Sequence, residues 1–129
     1  MNISSLLLVD DNADFLKLAR KALVSHTDWQ IATASSGPEA VSRLLEGELN
    51  PNVIVLDVSM PEMDGIETID RIKQNNRLED IPIILLTARV QENEMESYKN
   101  LPVLGVIAKP FDPLTLHLNI QALLKRAND

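Results

Sequence analysis

The sequence predicts an open, doubly wound α/β fold, a parallel sheet covered by helices on both faces, and three observations carry that prediction. Four apolar runs of strand length, residues 6–9, 53–56, 83–86 and 103–108, are unbroken by polar alternation, as expected of strands buried on both faces. Segments with helical spacing separate them. The resulting order is β-α five times over, which builds such a sheet through right-handed crossovers. The expected unit is one domain spanning residues 1–129.

The first strand, residues 6–9, ends at Asp10-Asp11. Phe15, Leu18, Ala19, Ala22 and Leu23 follow at i, i+3, i+4, i+7 and i+8, one face of a helix. Residues 30–34 are the weakest of the five strands. Ser36-Gly-Pro-Glu39 is a capping-box pattern that starts a second helix near residue 37, with Val41, Leu44 and Leu45 as its stripe. The third strand, residues 53–56, precedes Asp57. Asp64-Gly-Ile-Glu67 then repeats the capping pattern and starts a helix near residue 65. The fourth strand, residues 83–86, leads to Thr87. Residues 90–100 form the least convincing helix, with three Glu and few apolar positions, and Pro102 ends it. After the fifth strand, Asp112-Pro113 places Pro at a first helical position and predicts a last helix over 113–126. Leu114, Leu116, Leu118 and Ile120 alternate with polar residues as in a half-buried strand, but the start signal and the basic end Lys125-Arg126 decide for helix. Leu114 and Leu118 lie off the stripe Leu116, Ile120, Leu123 as a second apolar strip.

Composition sets the class. With 129 residues, 45% of them hydrophobic and 24% charged, the chain suits one globular domain. A net charge of −7 works against direct binding of nucleic acid or anionic lipid, where Lys and Arg must neutralise phosphates. The chain has no Cys, which excludes disulfides and thiolate metal sites. The N-terminus lacks a basic segment, and its apolar run stops at two aspartates. No run approaches the ~18 to 20 apolar residues of a membrane span. A soluble, cytoplasmic protein is the expectation.

The chemistry is expected at the strand ends, because open α/β sheets bind ligands beyond the carboxyl ends of their strands, where the strand order reverses. Asp10-Asp11, Asp57, Thr87 and Lys109 stand at four such ends. Crowded carboxylates repel unless a cation sits among them. With oxygen ligands and no His or Cys, that cation is a hard ion, and Mg²⁺ fits best. A metal there neutralises an incoming phosphoryl group while an Asp oxygen attacks phosphorus to form an acyl phosphate. Lys109 then binds one phosphoryl oxygen as a point charge and Thr87 hydrogen-bonds another. Taken singly, Asp10 or Asp11 would serve as a helix cap and Thr87 as a strand residue. Asp64 and Gly65 read as cap and turn. His26 and His117 are isolated in the sequence and read as surface residues.

Four segments, LLLVDDN (residues 6–12), VIVLDVSMPEMDG (53–65), PIILLTA (82–88) and AKPF (108–111), give the chain a resemblance to the receiver domains of bacterial two-component response regulators over nearly its whole length. The resemblance implies a flavodoxin-like (βα)5 sandwich with a five-stranded parallel sheet in the order 2-1-3-4-5, an order already known for that family. It implies Asp57 as phosphoacceptor, Asp11 as a direct Mg²⁺ ligand, Asp10 as a metal partner through water, and Ser59 as a metal ligand through its backbone carbonyl. A cis bond before Pro110 would aim Lys109 into the site. The chain departs from the family in having Val106 where many receivers carry an inward-turning aromatic, and in the Leu101-Pro102-Val103-Leu104-Gly105 stretch before the fifth strand. Signal output is therefore expected through Thr87, its loop and the fourth helix.

Such a receiver is expected to take its phosphoryl group from a sensor histidine kinase or histidine phosphotransfer protein by a self-catalysed reaction. It would lose the group to an in-line water flanked by Ser59 and Arg89, and turn over no external substrate. With little chain after the last helix, either the signal is expected to pass to a downstream protein or the chain is one piece of a longer one, and a homodimer through the face of the fourth helix, fifth strand and last helix is compatible with this. Two other readings stand beside it. Asp-dependent phosphatases of the haloacid dehalogenase type also use a strand-end Asp and Mg²⁺, but they carry a second Asp two residues on, where this chain has Ser59. A phosphorylation-independent interaction module would have no need of the complete Asp10, Asp11, Asp57, Thr87, Lys109 set.

Overall fold

The structure, a computed structural model, describes residues 4–58, 65–87, 101–109 and 111–127. Five strands, β1 (Ser5–Val9), β2 (Gln30–Ala34), β3 (Val53–Asp57), β4 (Ile83–Thr87) and β5 (Gly105–Ala108), pair in parallel in the order β2-β1-β3-β4-β5. The order reverses between β1 and β3, whose register sets Val9 beside Leu56. Four described helices, α1 (Ala13–His26), α2 (Gly37–Leu45), α3 (Gly65–Lys73) and α4 (Leu116–Ala127), cover the sheet. Among the described residues no helix is long and apolar enough to cross a membrane.

Double-sided burial explains the unbroken apolar runs. Successive strand side chains point to opposite faces, so Leu7, Val9, Ile54, Leu56, Ile83 and Leu85 join the core beneath α2 and α3. Leu6, Leu8, Val53, Val55, Ile84 and Leu86 face the other way, beneath α1 and α4. Each fully buried Leu or Ile contributes about 1.5–3 kcal/mol, and β3 and β4 are buried at every position. The edge strand β2, with Gln30 exposed and Ile31 to Thr33 half-covered, gains least, which accounts for its weak signal.

Several elements differ in detail from the expected pattern. The cap of α1 is Asn12, whose Oδ1 accepts the Phe15 N–H at 3.0 Å, not Asp10 or Asp11. The core positions of α1 are Leu16, Ala19, Ala22 and Leu23, while Leu18 is 52% exposed. Phe15 meets Phe111 edge-on, ring centroids 5.3 Å apart, and Leu16 next to it packs into the core on the sheet. In α2, Ala40, Val41 and Leu44 are buried and Leu45 is exposed. Ser36 caps that helix through Glu39 N–H at 3.1 Å, but the Glu39 carboxylate reaches the Ser35 N–H, one residue further back than a capping box requires.

At the last helix, the Asp112 carboxylate accepts the Leu114 N–H at 2.9 Å, and its carbonyl accepts from Thr115 and Leu116 at 3.0 Å. Asp112 thus starts the helix as expected, but residues 113–115 form a tighter turn and α4 proper begins at Leu116. Leu116, Ile120 and Leu124 are buried, Leu123 is half-buried, and Leu114 and Leu118 face solvent. The strand β5 begins at Gly105, not at residue 103, because Val103 N–H turns back to the Leu101 carbonyl at 2.8 Å. His26 and His117 are not isolated in space: their rings stack, with centroids 5.1 Å apart and planes 16° apart, and His117 is half-buried. The helix expected over 90–100 and the capping residue Asp64 lie outside the described residues.

Candidate functional site

Ladder hydrogen bonds bring the strand ends together. Asp10 N–H donates to the Ala34 carbonyl at 3.1 Å, Val58 N–H to Leu86 at 3.2 Å, and Lys109 N–H to Thr87 at 2.8 Å. The backbone at Asp10, after Asp57 and at Lys109 is thereby tied to the neighbouring strand, while each side chain is left to the crevice above. Asp10 is 1% exposed, Asp57 5% and Thr87 1%, whereas Asp11 is exposed. Buried carboxylates require partners, and Asp10 has one on each oxygen: Oδ1 accepts the Asn12 N–H at 2.9 Å and Oδ2 the Lys109 ammonium at 2.6 Å. The same ammonium lies 3.4 Å from Asp57 Oδ1. It also stands over the face of Phe15, 4.2 Å from the ring centroid.

The charge balance leaves room for a cation. One carboxylate oxygen from each of Asp10, Asp11 and Asp57 lies within 4.8 Å of the others. At an effective dielectric of about 20, each like-charge pair at that separation costs about 3 kcal/mol. The Lys109 ammonium by itself does not offset three such carboxylates. The donors are all oxygen, the set that a hard, partly hydrated divalent cation accepts, so the residues fit the metal that their chemistry implies.

Of the expected site residues, the structure gathers Asp10, Asp11, Asp57 and Lys109 around one point and sets Thr87 at the end of the adjoining strand, level with Ala108. Ser59, Arg89 and Pro110 lie outside the described residues. Three further residues shape the site. Asn12 both caps α1 and holds Asp10. Phe15 underlies Lys109. Gly65, buried at the start of α3, donates its N–H to the Val58 carbonyl at 2.8 Å, and a Cβ there would stand 2.8 Å from the Asp57 carbonyl oxygen. Asn12 carried a signal, since Asn before an apolar stripe is a cap residue. Nothing in the sequence relates residue 15 to residue 109.

This geometry agrees with what the chain is similar to. The family model described as "Response regulator receiver domain" matches residues 6–121. The response regulator SaeR of Staphylococcus aureus is 34% identical over 124 residues, 96% of this chain, and the chain spans 52% of that relative's length. Among solved structures, the chemotaxis response regulator CheY4 of Vibrio cholerae superposes with a TM-score of 0.83 at 26% identity, covering 95% of this chain and 99% of that one. A response regulator from Desulfuromonas acetoxidans gives a TM-score of 0.82 at 25% identity, covering 95% of this chain and 98% of that one. With its motifs, strand order and acidic crevice in agreement with these likenesses, the chain belongs to the receiver domain family of two-component response regulators.

Proposed function

We propose that this receiver accepts a phosphoryl group on Asp57 from a phosphohistidine of a sensor kinase or phosphotransfer protein. The observation that carries the reading is the convergence of Asp10, Asp11 and Asp57 on one point with Lys109 between Asp10 and Asp57. An Asp57 carboxylate oxygen attacks phosphorus in line, the phosphorus–nitrogen bond breaks, and the electron pair leaves with the donor imidazole. The buried setting of Asp57 excludes bulk water from the new acyl phosphate. Lys109 leaves Asp10 to bind a phosphoryl oxygen, and the Thr87 hydroxyl donates to another. Asp11, Asp57, the Ser59 carbonyl and, through water, Asp10 would hold a divalent cation, Mg²⁺, which would supply neutralisation of the phosphoryl charge.

On this reading the chain turns over no external substrate and works in the cytoplasm. Ser59 and Arg89 would tune the loss of its acyl phosphate to water, and the phosphorylated form would be read by a downstream protein. The measurement is intact mass after incubation with a small-molecule phosphodonor, with and without Mg²⁺, alongside Asp57→Asn. A single phosphoryl adduct that needs both Mg²⁺ and Asp57 is expected. A folded protein that takes up nothing from any donor would favour an interaction module instead.

A further inference from the structure

We propose that Phe15 is a positioning residue for phosphoryl transfer, its ring face serving as a platform that holds the Lys109 ammonium between Asp10 and the phosphoryl group. The inference rests on the reading of Asp57 and Lys109 given above and adds to it a residue on a different element. The Lys109 Nζ lies 4.2 Å from the centroid of the Phe15 ring, inside the ~6 Å range over which a ring quadrupole attracts a cation. The side chain is 19% exposed, so the attraction is only partly screened.

The ring is held from two sides. Its backbone is fixed by the Asn12 cap, which accepts the Phe15 N–H, and the same Asn12 donates its own N–H to Asp10 Oδ1. Phe111, two residues beyond Lys109, packs against the ring in an edge-to-face contact at 89°, the geometry aromatic pairs prefer. The platform is thus locked both to the carboxylate that holds the ammonium and to the segment that carries it.

Lysine needs such a guide because its ammonium is a point charge on a long, flexible stem. The charge sits 2.6 Å from Asp10 Oδ2 and 3.4 Å from Asp57 Oδ1, and transfer requires it to move from Asp10 to the arriving phosphoryl oxygens. A hydrogen bond to Asp10 is directional and resists that movement. A ring face attracts a cation over a broad area, so the ammonium can slide across it without losing the contact. Without the ring, the ammonium has no compensating attraction while it is between Asp10 and the phosphoryl oxygens, and the movement is slower.

The test replaces Phe15 with 4-fluoro-, 3,5-difluoro- and 3,4,5-trifluorophenylalanine, which weaken the quadrupole with little change of shape, and with leucine. Phosphoryl uptake from acetyl phosphate with Mg²⁺ is followed by intact mass, and thermal stability is measured on the same samples. In parallel, the Lys109 ε-protons are observed by NMR without metal or phosphodonor. The expected results are a stepwise fall in uptake rate with fluorine number, about three- to tenfold across the series, at a nearly constant Tm. An upfield ring-current shift of the Lys109 ε-protons, lost in Phe15→Leu, is expected with it. A uniform uptake rate across the fluorine series while wild type is phosphorylated on Asp57, or unshifted ε-protons in wild type, would overturn the inference alone. A wild-type protein that takes up no phosphoryl group would overturn the functional reading and this inference together.

Discussion

Replacing Gly65 with Ala tests how tightly α3 is seated on the phosphoacceptor strand. A Cβ at this position would lie 2.8 Å from both the Asp57 carbonyl oxygen and Val58 Cα, and 3.2 Å from the Val58 carbonyl oxygen. Ordinary contact begins near 3.4 Å, so something must move by roughly half an ångström. The strand cannot easily give way, because Asp57 is paired beside Leu86 and Val58 N–H is bonded to the Leu86 carbonyl. The start of α3 must therefore lift, stretching the 2.8 Å bond from Gly65 N–H to Val58. Overpacking costs about 1–3 kcal/mol and the weakened bond up to about 1 kcal/mol. The better helix propensity of Ala returns less than about 1 kcal/mol. A net loss of about 1–3 kcal/mol lowers Tm by about 4–12 °C for a domain of this size, read by circular dichroism. Because the clash falls on the Asp57 backbone, phosphoryl uptake should fall about tenfold as well. Gly47→Ala is the control: its φ of 76° disfavours a side chain while nothing lies within 4 Å, so it should cost about 1–2 kcal/mol and leave uptake unchanged. A Gly65→Ala protein as stable and as readily phosphorylated as wild type would refute the close approach.

Three further outcomes follow from the charges and bonds described. Lys109→Met strips the nearly buried Asp10 of its cation and should destabilise the metal-free protein by about 2–4 kcal/mol; added Mg²⁺ should recover more stability in this variant than in wild type, and equal responses in thermal melts would contradict the charge balance. Asp11→Asn should fold normally, since Asp11 is exposed, yet lose the rise in stability with Mg²⁺, which for wild type at a hundred times Kd amounts to about 2.7 kcal/mol. At the opposite end of the sheet, Asn52 Oδ1 accepts from the Ser4 N–H and hydroxyl at 2.7 Å and from the Ser5 N–H at 2.9 Å. Asn52→Ala should therefore lower the urea midpoint by the equivalent of about 1–2 kcal/mol without changing uptake.

The features legible in the sequence are those that burial or charge imposes on every residue concerned. A strand covered on both faces must be apolar throughout, so β1, β3 and β4 announce themselves, and the polar residue that ends each one marks the crevice. The strand order itself came from the resemblance, not from the residues alone. What sequence could not supply depends on tertiary packing. The rotation of α1, which buries Leu16 in place of Leu18, depends on how the helix seats on the sheet and beside Phe111, contacts that the apolar spacing does not record. Three neighbouring residues, Asp10, Asp11 and Asn12, could each cap α1, but the Asp10 backbone still continues the sheet ladder to Ala34 and its carboxylate is engaged by Asn12 and Lys109. The stacking of His26 on His117 joins the end of one helix to the start of another, which no local pattern records. The late start of β5 follows from a turn at Leu101 to Val103 within a run that is apolar enough to continue as strand.

The most direct test of Asp57 as the phosphoacceptor is chemical trapping: the protein is phosphorylated with a small-molecule donor and Mg²⁺, reduced with borohydride, digested and sequenced by mass spectrometry. An acyl phosphate on Asp57 predicts homoserine at position 57, dependent on donor and on Mg²⁺, with Asp10 and Asp11 unmodified. Reduction at another carboxylate, or at none while wild-type protein remains folded, would contradict the assignment.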